Sequence, residues 1–453
     1  MTHSTIRRRR RPFVLLLLVG LGVLLFAFIT GSIRYGGPDG LLLRVRLVFA
    51  QDVPHPAFVP TPLPVAAAIR AADLVPALAT RTVTPDEPTP ARARVTTAPP
   101  VIVPTDEWGA RATRTPSPTP RPTATPTLSP PTPTAAPRVP TIALTGLRHE
   151  WQTWNNCGPA TLSYYLSYFG SGLRQEAVRQ VTRPNKEDKN VNPEELAAFA
   201  RSQGYRALVR VDGHAELLRT LLTNGLPVMV ETWLEPKPND GMGHYRLITG
   251  FDDATREWIV YDSYVSHGIS KSDPYHGIRI PYTEMANLWR VFNRTYLVVY
   301  TDEWAPQVEA WLGPALDDTA MWQSAQAQAQ AEIAANPRDA FAWFNLGSTL
   351  TAMQRYEEAA AAFDQARQIG LPWRMLWYQF GPFRAYAEVG RYDEVLALAE
   401  ATLATTQEIE ELHYWRGRAL QAMGQLDAAR AAYDRALALN PFFTEAADAR
   451  RSL

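Results

Sequence analysis

The chain has a single cysteine, Cys157, in the run Trp154-Asn155-Asn156-Cys157-Gly158-Pro159-Ala160. With no second cysteine, an intramolecular disulfide is excluded, and the thiol is either a nucleophile or a small buried hydrophobe. Leu162, Tyr165, Leu166 and Phe169 recur at helical spacing and Gly170 is a stop signal, which predicts a helix starting at Cys157. At a helix N-terminus, free N–H groups and the dipole favour an anion. They lower a thiol pKa and populate the thiolate, the form that attacks carbonyls. Such a nucleophile needs a base and a group that orients the base. His244 and Asp262 supply these types on two stretches rich in β-branched and aromatic residues, joined by the turn-like Asp252-Asp253-Ala254-Thr255-Arg256. This reads as a β-hairpin. A turn centred near Ala254 sets His244 opposite residue 264. Asp262 is then its diagonal neighbour on the same face, roughly 7–8 Å away by backbone. A slip of one residue would separate them onto opposite faces. Gln152 lies five residues before Cys157, where its amide and the Cys157 N–H can point together at a developing oxyanion. Singly, His244 would be a satisfied strand histidine, Asp262 a strand-end cap and Gln152 a loop residue; as a set they describe acyl transfer through sulfur.

Gln152, Cys157-Gly158-Pro159-Ala160, Gly225-Leu226-Pro227-Val228, His244 through Asp253 and Asp262 stand in an order that resembles the papain-like cysteine peptidases of family thirty-nine, in particular its stand-alone members. The resemblance spans about residues 145–302. It implies an α+β papain-like domain, peptide-bond hydrolysis, and catalytic roles for Cys157, His244, Asp262 and Gln152. One departure is that Asp262 precedes Ser263, where the family often has proline, which leaves the local turn open.

The elements that would position these residues are legible nearby. Asn192-Pro193-Glu194-Glu195-Leu196-Ala197-Ala198-Phe199-Ala200 reads as a capped helix with proline at its first position. A second helix is expected over 214–224, closed by Gly225. Strands are expected over 207–211, 227–233, 244–251, 257–262 and 295–301. Strands beside segregated helices imply α+β architecture. His149, His214, His267 and His276 have no partner pattern and read as surface or loop histidines. No Cys/His cluster has ligand spacing, so neither a metal nor a cofactor is expected.

Five arginines, Arg7 to Arg11, precede the uncharged run Phe13 to Thr30. Its length sits at the lower edge of a bilayer span of roughly 17–25 residues. With the arginines held cytoplasmic, residues 1–12 form a basic tail, 13–30 a single-pass membrane anchor, and the rest lies outside the membrane. A cleaved signal peptide is the competitor. The expected stalk covers 31–140, where Thr-Pro and Ser-Pro units from Thr113 to Pro140 favour extended, polyproline-like chain. A lone thiol suits an oxidising exterior, where a spare one would pair.

From about residue 322 the chain turns alanine-rich and repetitive. Trp343, Leu346, Gly347, Tyr356, Ala359, Phe363, Ala366 and Pro372 follow the tetratricopeptide pattern, and Gly417, Leu420, Gly424, Ala429, Tyr433, Ala436 and Pro441 repeat it. An all-α solenoid over 322–450 is expected, with a degenerate unit near Tyr386 and Tyr392. Such stacks present a concave surface for a protein partner or substrate. Trp304, Val308, Trp311 and Leu312 recur at helical spacing, so the connector from Asp302 to Met321 is expected to pack and fix the angle between the two domains. Forty-five basic and forty-five acidic residues balance to zero net charge, which gives no footprint for nucleic acid. The combined expectation is a bacterial-type, membrane-anchored extracytoplasmic cysteine peptidase carrying tetratricopeptide repeats. The rivals are a non-catalytic interaction module on the same scaffold and a transglutaminase- or amidase-type acyl transferase.

Overall fold

A computed structural model describes residues 140–236, 238–264 and 275–453. The expected anchor, tail and nearly all of the stalk lie outside these residues. Among the described residues no helix is long and apolar enough to cross a membrane.

The first domain is a seven-stranded antiparallel sheet flanked by helices. In chain order its elements are β1 (Thr141–Ala143), α1 (Cys157–Tyr168), α2 (Gln175–Thr182), α3 (Pro193–Ser202), β2 (Arg206–Arg210), α4 (Ala215–Thr223), β3 (Val228–Leu234), β4 (Met242–Asp252), β5 (Glu257–Tyr261), β6 (Ile278–Pro281), α5 (Tyr282–Arg290) and β7 (Tyr296–Tyr300). The strand order is β2-β7-β3-β4-β5-β6, with β1 taking the edge of β4 beyond the end of β3. The expected strands and helices are present to within a residue or two at each end. β1, α2 and β6 had no clear sequence signal, being short or, in α2, carrying one Val pair on a polar background; α5 was not among the expected helices, although Tyr282, Met285 and Trp289 recur at helical spacing.

The sheet separates two cores, as a period-2 strand requires when both faces are covered. On one face Val228, Val230, Ile248, Val260, Val298 and Tyr300 pack against Leu218, Leu221 and Leu222 of α4 and against Trp289. On the other, Met229, Tyr245, Leu247 and Val299 meet Leu162, Tyr165 and Leu166 of α1 and Leu196 and Phe199 of α3. Gly250 is where β1 crosses β4: a Cβ there would stand 2.1 Å from the Ile142 carbonyl oxygen.

The connector packs as expected. α6 (Ala305–Leu312) buries Val308 and Leu312 in the first core. The helices α7 (Asp318–Ala335), α8 (Ala340–Ala352), α9 (Tyr356–Ile369), α10 (Gly381–Glu388), α11 (Tyr392–Leu403), α12 (Glu410–Ala422), α13 (Leu426–Leu439) and α14 (Thr444–Arg451) then pair in succession. Gly347 and Gly417 admit the rings of Phe363 and Tyr433, against which a Cβ would come within 2.7 and 2.5 Å. This is the small-against-aromatic fit of the repeat pattern. The degenerate unit contains the departure: after α9 the chain runs through Leu371–Phe380, with a single 3-10 turn at Met375–Trp377, before α10 begins.

The repeats are docked on the first domain through polar and charged pairs. Arg290 reaches Asp339, and Arg294 reaches Glu332. Asn293 donates to the Thr349 hydroxyl at 3.1 Å and Asn345 to the Arg290 carbonyl at 2.7 Å. On the opposite flank Asn190 and Asn192 both donate to Glu411 Oε1, at 2.8 and 2.7 Å.

Candidate active site

The hairpin of β4 and β5 decides which side chains meet. Near the turn Asp252 pairs Glu257 and Gly250 pairs Ile259. Carried on unchanged, that register would set Asp262 opposite Leu247, on the face away from His244. A β-bulge between Ile248 and Gly250 shifts the pairing to Ile248↔Val260 and Leu247↔Tyr261. The extra residue restores the face. His244 Nε2 then lies 2.7 Å from Asp262 Oδ1, with both residues buried.

Asp262 is held from four sides. Arg246, two residues after His244 and on the same face, donates Nε to Asp262 Oδ2 at 2.9 Å and is itself buried. The Tyr264 N–H donates to Oδ1 at 2.8 Å. His149 Nε2 is 2.8 Å from the Asp262 carbonyl oxygen, and its ring stacks on Tyr275 at 3.8 Å between centroids. Burial alone would raise the Asp262 carboxyl, but the charges of His244 and Arg246 and the hydrogen bonds hold it far below the usual carboxylate range. It is a carboxylate at every working pH.

Cys157 opens α1 and is half-buried. The ladder between β4 and β5 stops at Leu247↔Tyr261, which leaves the outward backbone groups of Tyr245 unpaired by a strand. α1 takes them. The Tyr245 N–H points at the Cys157 sulfur, and Thr161 Oγ1 donates to the Tyr245 carbonyl at 3.2 Å. The sulfur is also hydrogen-bonded to the His244 imidazole and receives the Gly158 N–H. Since Asp262 occupies Nε2, Nδ1 is the nitrogen left for sulfur. Burial pushes the thiol up, yet the His244 bond and charge and the two backbone N–H groups outweigh it, so the thiol is lowered. His244 is pulled down by burial, but the Asp262 charge and hydrogen bond, followed by the bond to Cys157, leave it raised. The two shifts favour the same state, a thiolate beside an imidazolium.

Asn156 stands at the N-cap of α1 without capping it through its side chain. Its amide is wholly buried, donating to Gln175 Oε1 at 2.6 Å and accepting from Arg183 Nη2 at 3.2 Å. Gln175 also accepts the Thr153 N–H at 2.9 Å and donates to the Trp151 carbonyl at 2.8 Å, and Arg183 reaches the Trp154 carbonyl at 2.9 Å. Two α2-region side chains thus fix the loop that delivers Cys157.

Gln152 is buried close by. Its N–H donates to the Ser263 carbonyl at 2.9 Å, and its Oε1 accepts the Ser263 hydroxyl at 3.0 Å. The serine that replaces the family's proline therefore ties Gln152 to the residue after Asp262. With Oε1 committed, the Nε2 end is the donor directed elsewhere.

The structure brings Cys157, His244, Asp262 and Gln152 into one neighbourhood. His149 and His214 both lie in loop backbone, as expected: His149 is half-buried behind Asp262, and the exposed His214 caps α4, its Nδ1 accepting the Leu217 N–H at 3.3 Å. His276 is exposed, and His267 lies outside the described residues. Arg246, Arg183 and Gln175 were missed. The i, i+2 spacing of His244 and Arg246 on one strand face is the signal that was available; the α2 pair had none, because its partners are loop backbone groups.

Residues 145–297 match the model of the peptidase C39-like family, and residues 312–370 and 410–443 match tetratricopeptide-repeat models. Among solved structures, the chain is similar to a C39-like peptidase from Bacillus anthracis, with 14% identity, a TM-score of 0.29, and coverage of 36% of this chain and 98% of that one. The peptidase domain of a Streptococcus bifunctional ABC transporter of a quorum-sensing pathway gives 14% identity, a TM-score of 0.26, and coverage of 35% and 100%. A thermophilic tetratricopeptide protein of Thermus thermophilus gives 20% identity, a TM-score of 0.26, and coverage of 33% and 82%. No curated protein matches the chain. The family match falls on the segment that carries Cys157, His244 and Asp262, and the chain accordingly contains a peptidase C39-like domain followed by tetratricopeptide repeats.

Proposed function

We propose that the protein is a cysteine peptidase in which Cys157 is the nucleophile, His244 the acid and base, Asp262 the orienting carboxylate, and Gln152 with the Cys157 N–H the oxyanion site. The observation that carries this reading is His244 bridging the Cys157 sulfur and Asp262, with Arg246 fixing the carboxylate's second oxygen. The thiolate attacks the scissile carbonyl carbon and the electron pair moves onto oxygen, where the amide donors meet it. The imidazolium gives its proton to the leaving nitrogen as the C–N bond breaks, leaving a thioester. Water, deprotonated by His244, attacks that thioester and releases the acid, and the thiolate re-forms.

The arginine block and apolar run over 13–30 support a single-pass anchor with both domains outside the cytoplasm, and the Thr/Pro-rich stretch supports a spacer between the anchor and the first domain. The repeats support binding of a protein partner or substrate. A peptide-library digest by the full chain tests the activity. Cleavage products with free carboxyl ends, lost in Cys157→Ala, are expected. Products joined to added amines instead of water would make the protein an acyl transferase, and no turnover with an unlabelled Cys157 would make the domain a binding module.

A further inference from the structure

β4 presents outward backbone groups at alternate residues along the edge that β5 leaves open. Leu247 is paired by Tyr261 of β5 and Tyr245 by Cys157 and Thr161. The next outward N–H belongs to Gly243, the residue before His244, and it meets the phenol of Tyr378. Tyr378 is not part of the peptidase domain. It belongs to the Leu371–Phe380 segment that interrupts the repeats. Two residues along a strand are about 7 Å, so the phenol and the Cys157 sulfur are successive occupants of one strand edge.

The placement is built from several contacts. The Tyr378 ring lies flat against Gly243, where a Cβ would stand 2.9 Å from Cδ1 and 3.0 Å from Cγ. It meets Trp233 and Phe292 edge-on, at 6.4 and 6.3 Å between centroids. The same segment clamps the chain just upstream. Trp373 Nε1 donates to the Asn239 carbonyl at 3.2 Å, and Arg374 donates to the carbonyls of Asp240 and Gly241 at 3.2 and 3.3 Å while pairing the Asp240 carboxylate at 2.7 Å. This packing leaves Tyr378 only partly accessible, close enough to Cys157 for the phenol and the thiol to interact electrostatically.

We propose that Tyr378 is a specificity-determining residue, by which the repeat domain supplies one wall of the substrate cleft next to Cys157. The assignment rests on the peptidase reading above. With the Tyr245 groups taken by Cys157 and Thr161 and the Gly243 N–H by the phenol, a peptide that reaches the sulfur from this side meets Tyr378, so the substrate side chain lodged there is read by a residue of the repeats. Gly243 is required for this, since any side chain at 243 would displace the ring.

The test compares the full chain with Tyr378→Ala and Tyr378→Phe in the same peptide-library digest, alongside alkylation of Cys157 by iodoacetamide. In Tyr378→Ala, selectivity should change at one substrate position, with larger side chains accepted there and KM for the preferred peptide rising about tenfold, while kcat and alkylation stay within about threefold of wild type. Tyr378→Phe should restore most of the selectivity, since the ring forms the wall. An equal fall in kcat/KM for every peptide, or no change at all, would overturn the wall while leaving the peptidase reading in place. A wild-type chain that neither alkylates at Cys157 nor cleaves would overturn both.

Discussion

At the scale of single residues, the site depends on Asp262 keeping its charge and direction. Asp262→Asn removes the charge that raises His244 and leaves Arg246 facing it. The imidazolium is destabilised, so the alkaline limb of the kcat/KM profile should move to lower pH. Turnover should fall by about 10²–10⁴, with the fold kept. A pH–rate profile of the variant decides this, and an unmoved limb with near-normal turnover would remove Asp262 from the mechanism. Arg246 tests support for the carboxylate. Arg246→Met strips a buried partner from Asp262 and from Thr232, whose hydroxyl takes the other arm of the guanidinium. Breaking one half of a buried pair costs about 3–5 kcal/mol, so thermal unfolding should show a marked loss of stability. A Tm near wild type would mean that His244 and the Tyr264 N–H suffice to hold Asp262.

At the scale of elements, the hairpin bulge and the crossing of β1 are the parts on which the site rests. Gly250→Ala sets a Cβ against the Ile142 carbonyl, so β1 should leave the edge of β4. Amide protection should be lost over Thr141–Ala143 while β4 and β5 keep theirs, which hydrogen exchange reads directly; retained protection would show that the crossing relaxes. The sequence made the site legible to the extent that its pieces are local. A helix start at Cys157, a hairpin with alternating apolar residues and a proline-led helix at Pro193 each announce themselves through spacing or caps. The bulge did not, since Thr249-Gly250 is compatible with regular strand. The expected same-face pairing of His244 and Asp262 came from placing the turn at Ala254. In the structure the turn pairing starts at Asp252↔Glu257, and the bulge supplies the compensating residue. α2 was illegible because its buried face is met by arginine-to-carbonyl contacts, whereas α5 carries Tyr282, Met285 and Trp289 at helical spacing, a stripe that the sequence does display.

At the scale of the whole molecule, the interface between the domains carries an unusual electrostatic load. Asp188 and Glu195 of the peptidase domain meet Glu410 and Glu411 of α12, and the charge of Arg183 acts on Asp188 and Glu410. Burial raises all four, Glu195 to about 8, and repulsion from neighbouring carboxylates adds to the rise of Asp188, Glu195 and Glu411. Free carboxyls titrate near 4, so above that pH the docked state binds more protons than the separated one. Docking is therefore strongest at acid pH and weakens as pH rises through the raised values. Proteolysis of the connector over 302–321 should accelerate between pH 5 and pH 8 (about the span from the free to the raised carboxyls). Glu411→Gln should flatten that dependence, whereas an unchanged slope would move the source of the pH dependence elsewhere. The central claim concerns a charge state at one sulfur, and the rate of Cys157 alkylation against pH measures it directly. A thiolate–imidazolium pair predicts rapid alkylation well below the ordinary thiol pKa of about 8.5, with the acid limb shifted up toward that value in His244→Ala. A wild-type rate that rises only near the ordinary thiol value, and is unmoved by His244→Ala, would contradict the account.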